Sequence, residues 1–227
     1  RGRAVRRAGT GARRVTATDD WPVELRGVTE SVVTTLGPND RWNVAALGLH
    51  APGDGEGDDK RGNGDDDGKG SASVVFARTW GRTRTWRNFT ERGEGYVQFT
   101  TDPVDFAEAA MTVREEDEPI LSSADAWARV EVTERASGTD GGTQWVEWAL
   151  RPVESGIERE RVPTTNRAYY AVIEATVAAS RLDVPSYDTD ALLDRIDYFA
   201  DVVERCGGER DREAFAVVRE QIDESRV

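Results

Sequence analysis

The stretch from Thr79 to Phe89, TWGRTRTWRNF, concentrates side chains able to hold an oxyanion. Within seven residues it sets Arg82, Arg84 and Arg87 beside Thr83 and Thr85, and it closes on Asn88. Guanidinium groups bind two phosphate oxygens at once, and hydroxyls with backbone N–H groups at a turn add short, directional donors. That inventory suits phosphate recognition. Composition leaves two other readings open: a solvated arginine-rich turn that neutralises an acidic surface, and a groove for nucleic acid built from interleaved aromatic and basic residues.

Little else in the chain offers side-chain chemistry. His50 is the only histidine and Cys206 the only cysteine. A nucleophilic triad would have to run through His50 alone, and a lone histidine is read here as structural. No intramolecular disulfide and no His/Cys zinc cluster can be assembled, so no metal site is expected. Cys206, just before Gly207-Gly208, is read as an inert thiol at a helix end. The acid pairs Glu115-Glu116 and Asp58-Asp59 are read as solvated surface. Asn43 opens an apolar run and either bonds its own turn or reaches a ligand. Arg167, Glu174 and Arg181 recur every seven residues and share a helix face. They predict a surface ion-pair ladder or a face docked onto the rest of the fold.

The charge narrows the partners. Among 227 residues, 43 acids face 30 bases for a net charge of −13, and only Lys60 and Lys69 are lysines. An acidic, arginine-rich, lysine-poor surface is expected of a protein working in multimolar salt, where the screening length falls to about 3 Å and hydrated carboxylates maintain solubility. Such a charge argues against broad electrostatic binding of nucleic acid or of an anionic membrane surface. No apolar run approaches membrane-spanning length, and a cytoplasmic location is expected. The first eighteen residues carry six arginines and no acid. They lack the apolar stretch of a signal peptide, and the chain does not begin with Met. Residues 1–20 are therefore expected to be a disordered basic leader, with translated upstream sequence as a second reading.

The elements that must position these residues follow from patterning. Strands are predicted over Val28–Leu36 and Trp42–Ala51 about a Gly37-Pro38-Asn39-Asp40 turn, then from Ser73 to Thr79 and over Tyr96–Thr101. Trp127–Glu134 and Gln144–Leu150 follow, joined by a Ser137–Gly142 hairpin loop. The eighteen residues from Gly53 hold seven glycines and seven acids, so 52–70 is expected to be a solvated loop inside a barrel of residues 21–162. Thr85–Arg92 reads as a short turn or helix ended by Gly93, and Asp102 caps a helix that starts at Pro103. Residues 163–227 form a three-helix region over Ala168–Leu182, Leu192–Val203 (capped by Ser186 or Thr189) and Arg212–Ile222. The fold class is mainly β with α: six antiparallel strands in a small barrel, then helices.

Four segments in order carry a resemblance: TESVVTT (Thr29–Thr35), NVAALGL (Asn43–Leu49), GRTRTWRN (Gly81–Asn88) with VQFTTDPVDF (Val97–Phe106), and NRAYYAVIEATVAASRL (Asn166–Leu182). Together they resemble the archaeal family known as domain of unknown function 447, within the flavin-reductase-like FMN-binding split β-barrels. The resemblance implies a six-stranded antiparallel split β-barrel, a homodimer, and FMN as cofactor. It implies a phosphate held by Arg82, Thr83, Arg84 and Thr85, with Asn88 closing the turn. Asn43, Ala45 and Ala46 would seat the isoalloxazine ring, the two small side chains letting backbone amides approach it. Relatives often carry Pro where Ala46 stands, and have a shorter connection where the Gly/Asp-rich loop lies. Related barrels bind a deazaflavin instead, and flavin storage without turnover is the non-catalytic alternative to a flavin-dependent oxidoreductase or flavin reductase.

Overall fold

The structure is a computed structural model that describes residues 19–51 and 74–225. Most of the basic leader expected over 1–20, and the whole Gly/Asp-rich loop expected over 52–70, lie outside the described residues. In chain order the elements are β1 (Val28–Leu36), β2 (Trp42–His50), β3 (Val75–Trp80), α1 (Arg84–Arg92), β4 (Glu94–Thr100), α2 (Pro103–Met111), β5 (Arg114–Glu116), β6 (Ala124–Asp140), β7 (Thr143–Ile157), α3 (Arg167–Ala179), α4 (Thr189–Cys206) and α5 (Glu209–Ser225).

Six antiparallel strands close a barrel in the order β1-β4-β6-β7-β3-β2, with β2 returning to β1. Its interior packs Val33, Leu49, Val75, Val97, Val130 and Leu150, all essentially inaccessible. Phe89 of α1 plugs one end and meets Trp148 edge-on at 5.4 Å. A seventh strand, β5, was not expected from sequence. Its three residues, Arg-Glu-Glu, lack any apolar period and pair with Trp42–Val44 of β2.

β1 is buried continuously from Ser31 to Thr35 rather than alternately. Val33 faces the barrel interior, while Val32 packs with Phe106 and Ala109 of α2 on the outside. A strand covered on both faces loses the two-residue alternation. The β6–β7 hairpin is also longer than expected. Its turn is only Gly141-Gly142, both at positive φ (53° and 85°), and the strands run to Asp140 and Thr143. Ser137 and Gly138, expected in the loop, lie within β6. Trp145 on β7 crosses so close to Gly138 that a Cβ there would sit 2.7 Å from the indole ring. Glycine at this position serves close approach, not a turn.

α2 is the joint between barrel and helical cap. Asp102 caps it as predicted, accepting from the Val104 and Asp105 amides at 2.9 and 3.3 Å. Phe106 and Ala109 face the barrel, while Val104 and Ala107 face α3, α4 and α5. α3 presents Ala168, Ala171, Ala175, Ala178 and Ala179 to this second core, which lets neighbouring helices approach closely. Asp188, rather than Ser186 or Thr189, caps α4 and accepts from Asp190 and Ala191. Asp102 also accepts both bonds from Arg210 of α5, at 2.7 and 2.8 Å.

Gln98 on β4 is fully buried and ties three segments together. Its amide donates to Thr34 Oγ1 and to the Pro119 carbonyl, and its oxygen accepts from the Leu121 amide at 2.7 Å. Gln98→Leu keeps the volume but orphans a buried N–H. It is expected to cost on the order of 2–3 kcal/mol in denaturant unfolding at fixed salt; a loss within error of zero would show that the segment 117–123 is not held by this residue.

Candidate functional site

β2 is paired unevenly along one edge. Trp42–Val44 bond to β5, and Leu49 with His50 bond to β3, leaving Ala45–Gly48 without a strand on that side. In any strand, alternate N–H and C=O groups point to each edge, so this gap leaves peptide groups free to meet something else. Ala45, Ala46 and Leu47 all line a cavity of about 620 Å³. Consecutive residues project to opposite faces of a strand, so what this cavity meets is the backbone edge of β2. The volume lies in the range of small-molecule sites.

The cavity has a barrel wall and a helical wall. On the barrel side stand Thr79 and Trp80 at the end of β3, Thr83 and Thr85 at the start of α1, and the tip of the β6–β7 hairpin at Asp140, Gly141 and Thr143. The helical side is formed by Ala109 and Ala110 of α2, Thr176 of α3 with its cap Ser180, and the connector to α4 with Arg181 and Tyr187.

α1 starts at the mouth of this space because the sequence stops β3 sharply. Gly81 takes φ 69°, and Thr83 in extended geometry caps the helix, accepting from the Trp86 amide at 3.1 Å. The amides of Arg84 and Thr85 have no acceptor within the helix, and no acid occupies its first turn. The helix dipole there favours an anion. Thr85 is buried, and its Oγ1 accepts from Asn43 Nδ2 at 3.4 Å. Among the described residues its own O–H has no acceptor.

The eight residues singled out from sequence occupy different places. Ala45, Ala46, Thr83 and Thr85 line the cavity. Asn43 lies buried behind Thr85, which it positions. Asn88 is buried against β1, donating to Thr35 Oγ1 at 2.9 Å, and so fastens α1 to the barrel. Arg82 is exposed, 5.7 Å from the Trp86 ring, and Arg84 reaches Glu115 at 2.6 Å. Neither arginine lines the cavity. Glu115, read from sequence as solvated surface, instead also accepts from Asn39 and lies 4.0 Å from Arg41. The heptad ladder does not form: Glu174 pairs with Arg195 of α4, and Arg181 falls beyond the Ser180 cap of α3.

Several lining residues carried no sequence signal. Glu30 of β1 lines the cavity opposite Gly48. Burial raises its carboxyl above the ordinary range; attraction to His50 works against this and repulsion from Glu174 adds to it. Arg78 lines the cavity but is spoken for, bonded to Glu147 at 3.1 Å and lying 4.4 Å from the Trp145 ring. Outside the cavity lining, the half-buried Tyr169 donates to the Thr100 carbonyl at 3.0 Å, and desolvation pushes its phenol well above the ordinary value. Among the described residues no cluster of His, Cys, Asp and Glu could hold a metal ion, and no helix is long and apolar enough to cross a membrane.

Comparison with known proteins places the chain. The family described as protein of unknown function (DUF447), N-terminal domain, matches residues 29–159, and its companion DUF447 domain matches 166–220. The chain belongs to the DUF447 family. Among solved structures it is similar to an FMN-bound DUF447 protein from Methanosarcina mazei, with 22% identity, coverage of 87% of this chain and 96% of that one, and a TM-score of 0.69. Nitrilotriacetate monooxygenase component B from Bacillus cereus matches at 14% identity over 62% of this chain and 74% of its own, TM-score 0.42. The styrene monooxygenase flavin reductase of Pseudomonas putida matches at 14% over 58% and 79%, TM-score 0.34. No curated protein matches the sequence. The DUF447 chain is thus a split β-barrel with a C-terminal helical region.

The raised carboxyl gives a testable sign. Glu30 favours folding while protonated, and that contribution fades as pH climbs from the unfolded carboxylate value of about 4.3 through the higher folded value. Glu30→Gln is therefore expected to melt above the wild type at pH 7 and to coincide with it near pH 4. A variant less stable than wild type at pH 7 would show that the charged carboxylate is held favourably.

Proposed function

We propose that the cavity between barrel and cap holds FMN and that the protein is a flavin-dependent oxidoreductase. One observation carries this reading: a stretch of strand edge with no neighbouring strand and an acid-free helix N-terminus open into the same cavity. The ring of a flavin offers a row of donors and acceptors suited to the first, and its phosphate suits the second. The FMN bound to the M. mazei protein, a family member matched over nearly its full length, supports the assignment.

In this reading Thr83 and Thr85 hold the phosphate with the free amides of α1, and Asn43 orients the Thr85 hydroxyl. Arg82 and Arg84 flank the site and add positive potential, Arg84 while tethered to Glu115. Asn88 holds α1 at its place on β1. The Ala45 and Ala46 methyls keep the β2 edge open to the ring, and α2 excludes water from one side. Bound FMN would supply hydride- and electron-transfer chemistry. Glu30 and Asp140 are the carboxyls on the cavity wall, and Glu30 can hold a proton above the usual carboxylate range. The acidic, lysine-poor composition supports work at high salt in the cytoplasm, and the family resemblance supports a homodimer.

The test is a fluorescence-quenching titration with FMN and riboflavin in multimolar salt. FMN is expected to bind at least about tenfold more tightly. Thr85→Val preserves shape and removes one hydrogen bond to a charged group, worth roughly 1.5–3 kcal/mol. It should therefore weaken FMN by about 10- to 100-fold and leave riboflavin unchanged. Equal affinity of the wild type for FMN and riboflavin would remove the phosphate from the α1 N-terminus.

A further inference from the structure

In a chain with 43 acids, arginines readily find carboxylates, and the exception in this cavity is Arg181. Two arginines line the space. Arg78 is held by Glu147 and packed against Trp145. Arg181 has no carboxylate partner among the described residues, although Asp183 and Asp188 are close in sequence. Asp188 is spent on the α4 cap, and Asp183 is exposed.

The guanidinium of Arg181 instead lies 5.3 Å from the centre of the Tyr187 ring. Packing over an aromatic ring fixes the guanidinium plane and leaves N–H groups at its edge, the geometry that receives a carboxylate in two parallel bonds. The Ser186 hydroxyl lines the same wall, without a hydrogen bond among the described residues. Phe106, Ala110, Val177 and Val184 supply an apolar surface beside it, and Trp80 (46% exposed) and Tyr187 (45% exposed) add flat aromatic walls. An unpaired, oriented cation above an apolar, aromatic-lined floor fits a particular kind of ligand: a small organic carboxylate with a flat body.

We infer that Arg181, lying over the Tyr187 ring, forms a second subsite on the helical wall of the cavity that recognises the carboxylate of a small, flat organic anion. The subsite goes beyond the flavin reading, since its polar groups, Arg181 and Ser186, come from the connector after α3 rather than from α1. The position also offers a purely structural explanation, because a cation near the C-terminus of α3 complements that helix dipole. The experiment separates the two, since lysine keeps the charge but not the planar fork.

The test uses the full chain in multimolar potassium chloride and reads binding by 19F NMR line broadening of 4-fluorobenzoate, with 4-fluorobenzamide as the neutral isostere. Each is measured with and without FMN. The wild type is expected to prefer the carboxylate by at least about tenfold. Arg181→Gln should abolish the preference and Arg181→Lys should restore only part of it, with melting temperatures recorded for both. FMN affinity should change less than about twofold in either variant. Equal binding of the two probes, or a preference that survives Arg181→Gln, overturns the subsite. A loss of FMN affinity without loss of riboflavin affinity in Arg181→Gln also overturns it, by assigning Arg181 to the flavin phosphate. Failure of FMN to bind at all would sink the flavin reading, while the carboxylate preference is still read directly in the flavin-free sample.

Discussion

The structure depends on incomplete pairing along one edge of β2. Barrels remove sheet edges by closing, but here β3 joins β2 only at Leu49 and His50, and β5 joins it only over Trp42–Val44. Between them a short run of peptide groups faces a cavity instead of a strand. Ala45, Ala46 and Gly48 are half-buried there, and the Leu47 carbonyl accepts from Ser31 Oγ at 2.7 Å. On one side β2 closes the barrel against β1, and on the other Ala45, Ala46 and Leu47 line the cavity.

Two devices hold the surroundings in place. α1 is fastened by the side that is not functional: Phe89 in the barrel and Asn88 on Thr35 fix the helix, so its first turn can present bare amides and two threonines. α2 carries apolar residues on both faces and couples the barrel to the cap. The Asp102–Arg210 pair reinforces that coupling. Burial pushes the Asp102 carboxyl up, but its bonds to Arg210 and to the Asp105 and Val104 amides outweigh this and hold it below the ordinary range. The stability it contributes is present above the unfolded Asp value and is lost as pH falls through the lower folded one. The helical wall of the cavity therefore rests on α2 and its links to α5.

Local patterns were legible in the sequence; the composition of the walls was not. The β1–β2 hairpin, the Asp102 cap with Pro103, and the Gly93 stop all follow from residue types whose backbone preferences act within a few positions. β5 escaped because three charged residues become a strand only when β2 offers a free edge. The length of the β6–β7 hairpin escaped because Gly138 looks like a turn until Trp145 is seen lying across it. Of the cavity's lining, Thr83 and Thr85 stood out because one segment carries them, whereas Ala45 and Ala46 were singled out only through the family resemblance. Glu30, Trp80 and Tyr187 meet only through long-range packing, and nothing in their neighbours announces it. Arg84 illustrates the converse: a residue type suited to phosphate is held by Glu115, a partner thirty-one positions away.

A structure of the chain with FMN tests the account most directly. The phosphate should lie within hydrogen-bonding distance of the Thr83 and Thr85 side chains and the first amides of α1, with the ring along the unpaired Ala45–Gly48 edge. A flavin seated outside the cavity, or one whose phosphate points away from α1 while the β2 edge is filled by water, would contradict it.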